Sequence, residues 1–209
     1  MGKLPQEFFM DDSIHVAQKL LGKILVHETE EGIVRCRIVE TEAYMGILDK
    51  GSHAYSGKIT PRTAPLYEQG GIAYVYLIYG MYHCMNVVVN VEGLAQGVLI
   101  RALEPIDGIE LMKKRRKMDN VKNLCNGPGK LCIAMDITKK ENGANLMESS
   151  LYLEEPEHDT TFEMVTAKRI NIDYAEEAKD FLWRYYIKDN PYVSVKEKCS
   201  KRPQKKQTD

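Results

Sequence analysis

Cysteine does not organise this chain. Its five cysteines, Cys36, Cys84, Cys125, Cys132 and Cys199, are odd in number and form no C-x-x-C pair. That argues against a disulfide framework and against a thiolate zinc cluster, and it fits reduced thiols in a cytosolic or nuclear compartment. The five histidines form no H-x-H or H-E-x-x-H pattern, so no metal is expected. GxGxxG, P-loop and GxSxG sequences are missing too, which removes nucleotide-cofactor and serine-hydrolase readings. No apolar run reaches membrane-spanning length. The N-terminal MGKLPQEFFMDD lacks a basic segment followed by a long apolar stretch, so no secretory signal is read.

The length of 209 residues suits one large domain or two small ones, and 44% hydrophobic with 28% charged residues is ordinary for a globular protein. No repeat and no Pro- or Ser-rich linker divides the chain, so residues 1–195 are expected to form one domain. A basic tail over 196–209 is expected to be disordered. Net charge is −1, yet its distribution is uneven: Lys113-Lys114-Arg115-Arg116-Lys117 is basic and Glu154–Glu163 acidic. Such segregation permits a local basic surface.

Asp11 or Asp12 can cap a helix from Ser13 to Leu21, stopped by Gly22. Lys23–Glu28 and Ile33–Tyr44 read as a hairpin turned at Glu31-Gly32. Met45–Gly71 is aperiodic and longer than most structural connections, which favours a functional loop. Ile72–Tyr79 and Tyr82–Asn90 form a tight hairpin about Gly80-Met81. Gly97–Leu103 is a buried strand, and Asp107 can cap a helix from Gly108 to Met118. Leu124–Ile137 reads as loop plus short helix, Leu151–Glu154 as a strand and Ala175–Ile187 as a helix.

Val34, Cys36 and Ile38 alternate with Arg35 and Arg37. Continued at period two, the apolar face carries Glu40, Glu42 and Tyr44. A carboxylate there must be paired or used, and alternation does not choose between the two glutamates. Arg101, inside the apolar Val98–Leu103, needs a carboxylate such as Glu42 or Glu104. The hairpin is rich in tyrosine: Tyr74 and Tyr76 share a strand face, and Tyr79, Met81 and Tyr82 cluster at its tip. Tyr74 suits a strand; the tip is better explained as a wedge pushed between stacked bases. His53 stands out within the long loop.

Glu40-Thr41-Glu42-Ala43-Tyr44, Tyr74 to Asn86, Arg101-Ala102-Leu103-Glu104-Pro105 and Asn126 to Cys132 together resemble the alkyladenine (3-methyladenine) DNA glycosylase family over about residues 8–195. The resemblance implies an α+β fold: a curved, mostly antiparallel, barrel-like sheet flanked by helices, with a protruding hairpin. It implies a monofunctional glycosylase of base excision repair that flips damaged purines from duplex DNA and hydrolyses the N-glycosidic bond. Glu42 would be the general base and Arg101 would help to hold the water. Tyr44, His53 and Tyr76 would stack on the flipped base, and Asn86 would crowd guanine. Tyr79, with Met81 and Tyr82 beside it, would fill the gap in the duplex, and Lys58, Thr60 and Lys130 would contact the backbone. No cofactor or metal is implied. The expected partner is double-stranded DNA bearing damaged purines, met by a monomer in the bacterial cytoplasm or the eukaryotic nucleus. Two departures are visible: Leu66–Gly71 lacks the proline common before the glycine, and Asn171 stands where a glycine is usual.

Overall fold

The computed structural model describes residues 2–158 and 161–196. The predicted tail therefore lies, except for Lys196, outside the described residues. The fold is α+β, with strands β1 (Ile24–Thr29), β2 (Gly32–Tyr44), β3 (Ala73–Ile78), β4 (Tyr82–Val89), β5 (Gln96–Asp107), β6 (Leu151–Glu154), β7 (Met164–Ala167) and β8 (Arg184–Ile187). Among the described residues three α-helices join them: α1 (Ser13–Lys19), α2 (Ile109–Arg116) and α3 (Pro128–Met135). Every pairing is antiparallel, in the order β3-β4-β5-β2-β1-β6.

The thirteen-residue β2 is the spine of the curled sheet. One edge pairs with β5 from Arg35 to Tyr44. Its other edge is shared: β1 takes the first half, and β8 takes Glu40 to Glu42, with β7 outside β8. A strand that long can hold two partners on one edge only by bending between them. Register slips against β5 at Ile38/Glu40 and Glu40/Thr41 mark that bend.

These bulges correct the expected phase. Val34, Cys36, Ile38 and Val39 enter the apolar core, and Ala43 follows them, while the Thr41 hydroxyl donates to the Ala17 carbonyl of α1 at 2.8 Å. Glu40 and Glu42 therefore continue the face of Arg35 and Arg37, not the apolar one. They are nonetheless fully buried, enclosed by the Arg101 and Arg184 side chains and by the backbone around Ile170 and Ser194.

Three further expectations are corrected. Ala175–Ile187 is not a helix: after a short 3-10 turn at Glu176–Asp180 the chain extends into β8, where Arg184, Tyr185 and Tyr186 complete the edge of β2. Strand pairing outweighs local helical propensity there. Asp107 ends β5, and α2 is capped by Gly108, whose φ of +75° and close approach to the Ile33 carbonyl admit no side chain. The basic block is largely engaged within the molecule: Lys113 pairs with Glu110, Lys114 and Arg115 with Glu31, and Arg116 donates to the Leu124 carbonyl. The first helix starts as expected, with the Asp12 carboxylate accepting from the His15 amide at 2.9 Å.

Candidate active site

Glu42 sits where β2 is flanked by β5 and β8, opposite Leu99 and Arg184. Its Oε1 accepts from the Ile170 amide at 2.7 Å and lies 3.3 Å from Nη1 of Arg101; its Oε2 accepts from the Tyr44 hydroxyl at 2.9 Å. Each carboxylate oxygen has two acceptor sites. Oε2 thus keeps one in hand.

Glu40 is more heavily engaged. Its Oε1 takes Nε of Arg101 at 3.1 Å, Nη1 of Arg184 at 3.0 Å and the Ser194 hydroxyl at 2.9 Å, and its Oε2 takes the Ser194 amide at 2.7 Å. Arg101 therefore bridges the two glutamates. Glu104, the other partner considered for it, pairs with Arg37 instead, at 3.2 Å. Burial pulls the Arg101 pKa down, but Glu42 and Glu40 outweigh that and raise it, so Arg101 stays charged.

Beside this cluster opens a cavity of about 260 Å³, lined by Tyr44, His53, Tyr74, Tyr76, Tyr79 and Asn86 among others. Alternation along β3 puts Tyr74 and Tyr76 on one face, their rings 5.2 Å apart. His53 stands edge-on to Tyr76 at 4.5 Å, and its Nδ1 is 3.0 Å from the Tyr74 hydroxyl. Although His53 keeps an exposed edge, the desolvation of its packed ring, aided by the charge of Arg62, pushes its pKa down to about 4. His53 is neutral at pH 7. Burial first, and the charge of Glu42 second, push the Tyr44 hydroxyl well above its usual range. On β4, Asn86 is buried with no partner for its Nδ2.

The hairpin tip differs from the expected Gly80-Met81 turn. β3 ends at Ile78, and the connection is Tyr79-Gly80-Met81, with positive φ at both Tyr79 (+53°) and Gly80 (+68°). Tyr79 and Met81 are 76% and 68% exposed, large side chains presented to solvent on a rigid two-stranded mount. Tyr82 rests on Gly129 of α3, where a Cβ would come within 3.0 Å of it.

Lys130, exposed in the first turn of α3, donates to the Asn126 side chain at 2.8 Å and borders the same shallow groove as Tyr82. Lys58 and Thr60 lie on the loop that carries His53. Lys58 is exposed, and Thr60 is tied down by reciprocal bonds with Thr63.

Several contributors escaped the sequence reading. Tyr74 lines the cavity rather than serving the strand alone. The loop after β7 supplies the Ile170 amide, and its Asn171 lines the cavity at a φ of +60°, a conformation asparagine tolerates better than most residues. Tyr174 adds a further rim. Behind Tyr44, Arg169 makes two hydrogen bonds to Asp49, at 2.5 and 2.8 Å, and its guanidinium lies 4.7 Å from the Tyr44 ring centre. An acid at 49 and a base at 169 carry no spacing signal, so their pairing could not be read from the sequence. The positive φ needed at 171 was hinted at by asparagine.

Residues 7–191 match the family described as Methylpurine-DNA glycosylase (MPG). Similar proteins include one from Clostridium acetobutylicum, 56% identical over 204 residues that cover 94% of this chain and 99% of the relative. Another, from Clostridium tetani, is 54% identical over 203 residues, 93% of this chain and 100% of its own. Both carry the name "Putative 3-methyladenine DNA glycosylase".

Proposed function

Since this chain belongs to the methylpurine-DNA glycosylase family, and so is a DNA glycosylase of DNA repair, we propose that it hydrolyses damaged purine nucleotides by a base-flipping, water-based mechanism. Substrates on this reading are 3-methyladenine, 7-methylguanine, hypoxanthine and ethenoadenine in duplex DNA, met by the enzyme as a monomer. The observation that carries it is Glu42, a buried carboxylate outside the cavity lining whose hydrogen-bond partner Tyr44 is one wall of a cavity lined by aromatic rings.

A base inside a duplex cannot be reached, so it must be extruded at a cost of roughly a few kcal/mol, least for a damaged pair. Stacking between Tyr44 and Tyr76 returns roughly 1–3 kcal/mol per base. Tyr79 fills the vacated stack, with Met81 and Tyr82 alongside in the minor groove, and Lys58, Thr60 and Lys130 hold the backbone. Asn86 presents an unsatisfied N–H, which repels the 2-amino donor of guanine, a penalty that 7-methylguanine shares and that its more labile glycosidic bond offsets.

Glycosidic cleavage passes through an oxocarbenium-like state. Glu42 takes a proton from water at Oε2 while its charge steadies the developing cation, and Arg101 helps to hold that water. His53 is neutral at pH 7 and the Tyr44 hydroxyl is harder to ionise than usual, so neither is a ready proton donor to the leaving base. Among the described residues, none lining the cavity is a lysine. Without an amine nucleophile no Schiff base forms, which supports hydrolysis without strand cleavage.

The test is a lesion panel in duplex DNA with enzyme in excess. Free base and an intact, alkali-labile strand are expected; strand nicking without alkali, or no base release from any lesion, overturns the reading.

A further inference from the structure

The two rings proposed to clasp the flipped base are each backed by an arginine. Arg169 is buried, stands outside the cavity lining, and lies 4.7 Å from the centre of Tyr44, so the Tyr44 ring separates it from the cavity. Across the cavity, Tyr76 divides two hollows. One is the cavity itself; in the other, Arg62 lies 5.3 Å from the centre of the same ring.

An aromatic face attracts a cation through its quadrupole. A guanidinium on one face draws electron density toward itself and leaves less for a cation on the other. It also repels that second cation directly, across a medium less screening than water. A neutral base stacked on the same ring loses neither term. His53, the third aromatic group at Tyr76, carries no charge at pH 7 to alter this.

The surrounding charges balance at Tyr44 but not at Tyr76. Glu40, Glu42 and Asp49 face Arg101, Arg184 and Arg169 in a matched buried set. Arg62 is exposed and pairs with no carboxylate among the described residues, so it adds net positive charge at Tyr76.

We infer that Arg62, acting through Tyr76, sets the charge preference of the base pocket, biasing it toward neutral damaged purines such as hypoxanthine and against cationic ones such as 7-methylguanine. The inference rests on the base-flipping reading above. Arg62 acts through the ring and touches no reacting atom.

Arg62 is the residue to test, because its exposure lets it change without leaving a buried charge behind. Excision of 7-methylguanine and hypoxanthine from matched duplexes is measured with excess enzyme, and the ratio of the two rates is compared between wild type and variants. The intrinsic lability of each lesion cancels in that comparison, as does any general loss of DNA affinity. Arg62→Gln is expected to raise the 7-methylguanine to hypoxanthine ratio by about three- to tenfold, the size of one cation–π contact. Arg62→Lys, which keeps the charge, is expected to leave the ratio near the wild-type value. An unchanged ratio in Arg62→Gln overturns the inference, and so does an equal shift in both variants, which would assign the effect to shape. Should wild type release neither base, the catalytic reading fails instead, and the same ratio taken from equilibrium binding of the two duplexes decides the charge preference.

Discussion

The backbone amide of Ile170 donates to Oε1 of Glu42 at 2.7 Å, joining residues 128 positions apart. This bond, with Arg101 on the same oxygen, turns Oε2 toward Tyr44 and leaves it the free acceptor site. A glutamine at this position can accept from Ile170 through its carbonyl and donate to the Tyr44 oxygen through its amide. Glu42→Gln should therefore fold and bind lesion DNA within a few-fold of wild type. Its single-turnover excision should fall by about 10²–10⁴, the usual worth of a general base. Excision at the wild-type rate would remove Glu42 from the chemistry.

Glu40 should behave in the opposite way. It is the common anion of Arg101 and Arg184, both buried. Glu40→Ala leaves Arg184 without its carboxylate and Arg101 with Glu42 alone, a change that costs about 3–5 kcal/mol. Urea denaturation should show the midpoint falling by that equivalent, whereas Glu42→Gln shifts it little. Equal stability of the two variants would contradict the separation of roles.

How far the sequence carried this distinction depends on the bulges in β2. Regular alternation put Glu40 and Glu42 on the apolar face, and the register slips at Ile38/Glu40 and Glu40/Thr41 move them to the other. A bulge leaves no mark in a pattern of residue types, because it is set by the competition of β1 and β8 for one edge. The same competition hid β8, whose residues read as helix until β2 offers them a partner. Elements closed by local chemistry were legible: the Asp12 cap, the β1–β2 turn and the tyrosine-rich hairpin. Long-range ion pairs such as Arg169 with Asp49 were not, since nothing near either residue in the chain announces the other.

His53 gives a pH signature. Its pKa is pushed down to about 4 in the fold, by burial first and by Arg62 second, against an ordinary value near 6.5 when unfolded. The unfolded chain thus binds the proton more tightly. Its contribution to stability is complete above about pH 6.5 and is lost as pH falls toward about 4. His53→Gln should flatten the decline of the denaturation midpoint across that window relative to wild type. Parallel curves for the two proteins would show that His53 titrates normally in the fold.

Tyr79 combines an exposed ring with a left-handed backbone, and two substitutions separate these properties. A non-glycine residue at positive φ costs roughly 1–2 kcal/mol, part of which a glycine returns to its own greater freedom when unfolded. Tyr79→Gly should therefore gain up to about 1 kcal/mol of stability, while Tyr79→Ser keeps the strained backbone and gains nothing. Both lose the ring that fills the stack, so both should lose discrimination between lesion and undamaged duplex by roughly 1–3 kcal/mol, read from competition binding. If discrimination survives in both variants, the hairpin tip does not insert. If it fails in Tyr79→Ser but survives in Tyr79→Gly, the turn conformation rather than the ring is what the duplex meets.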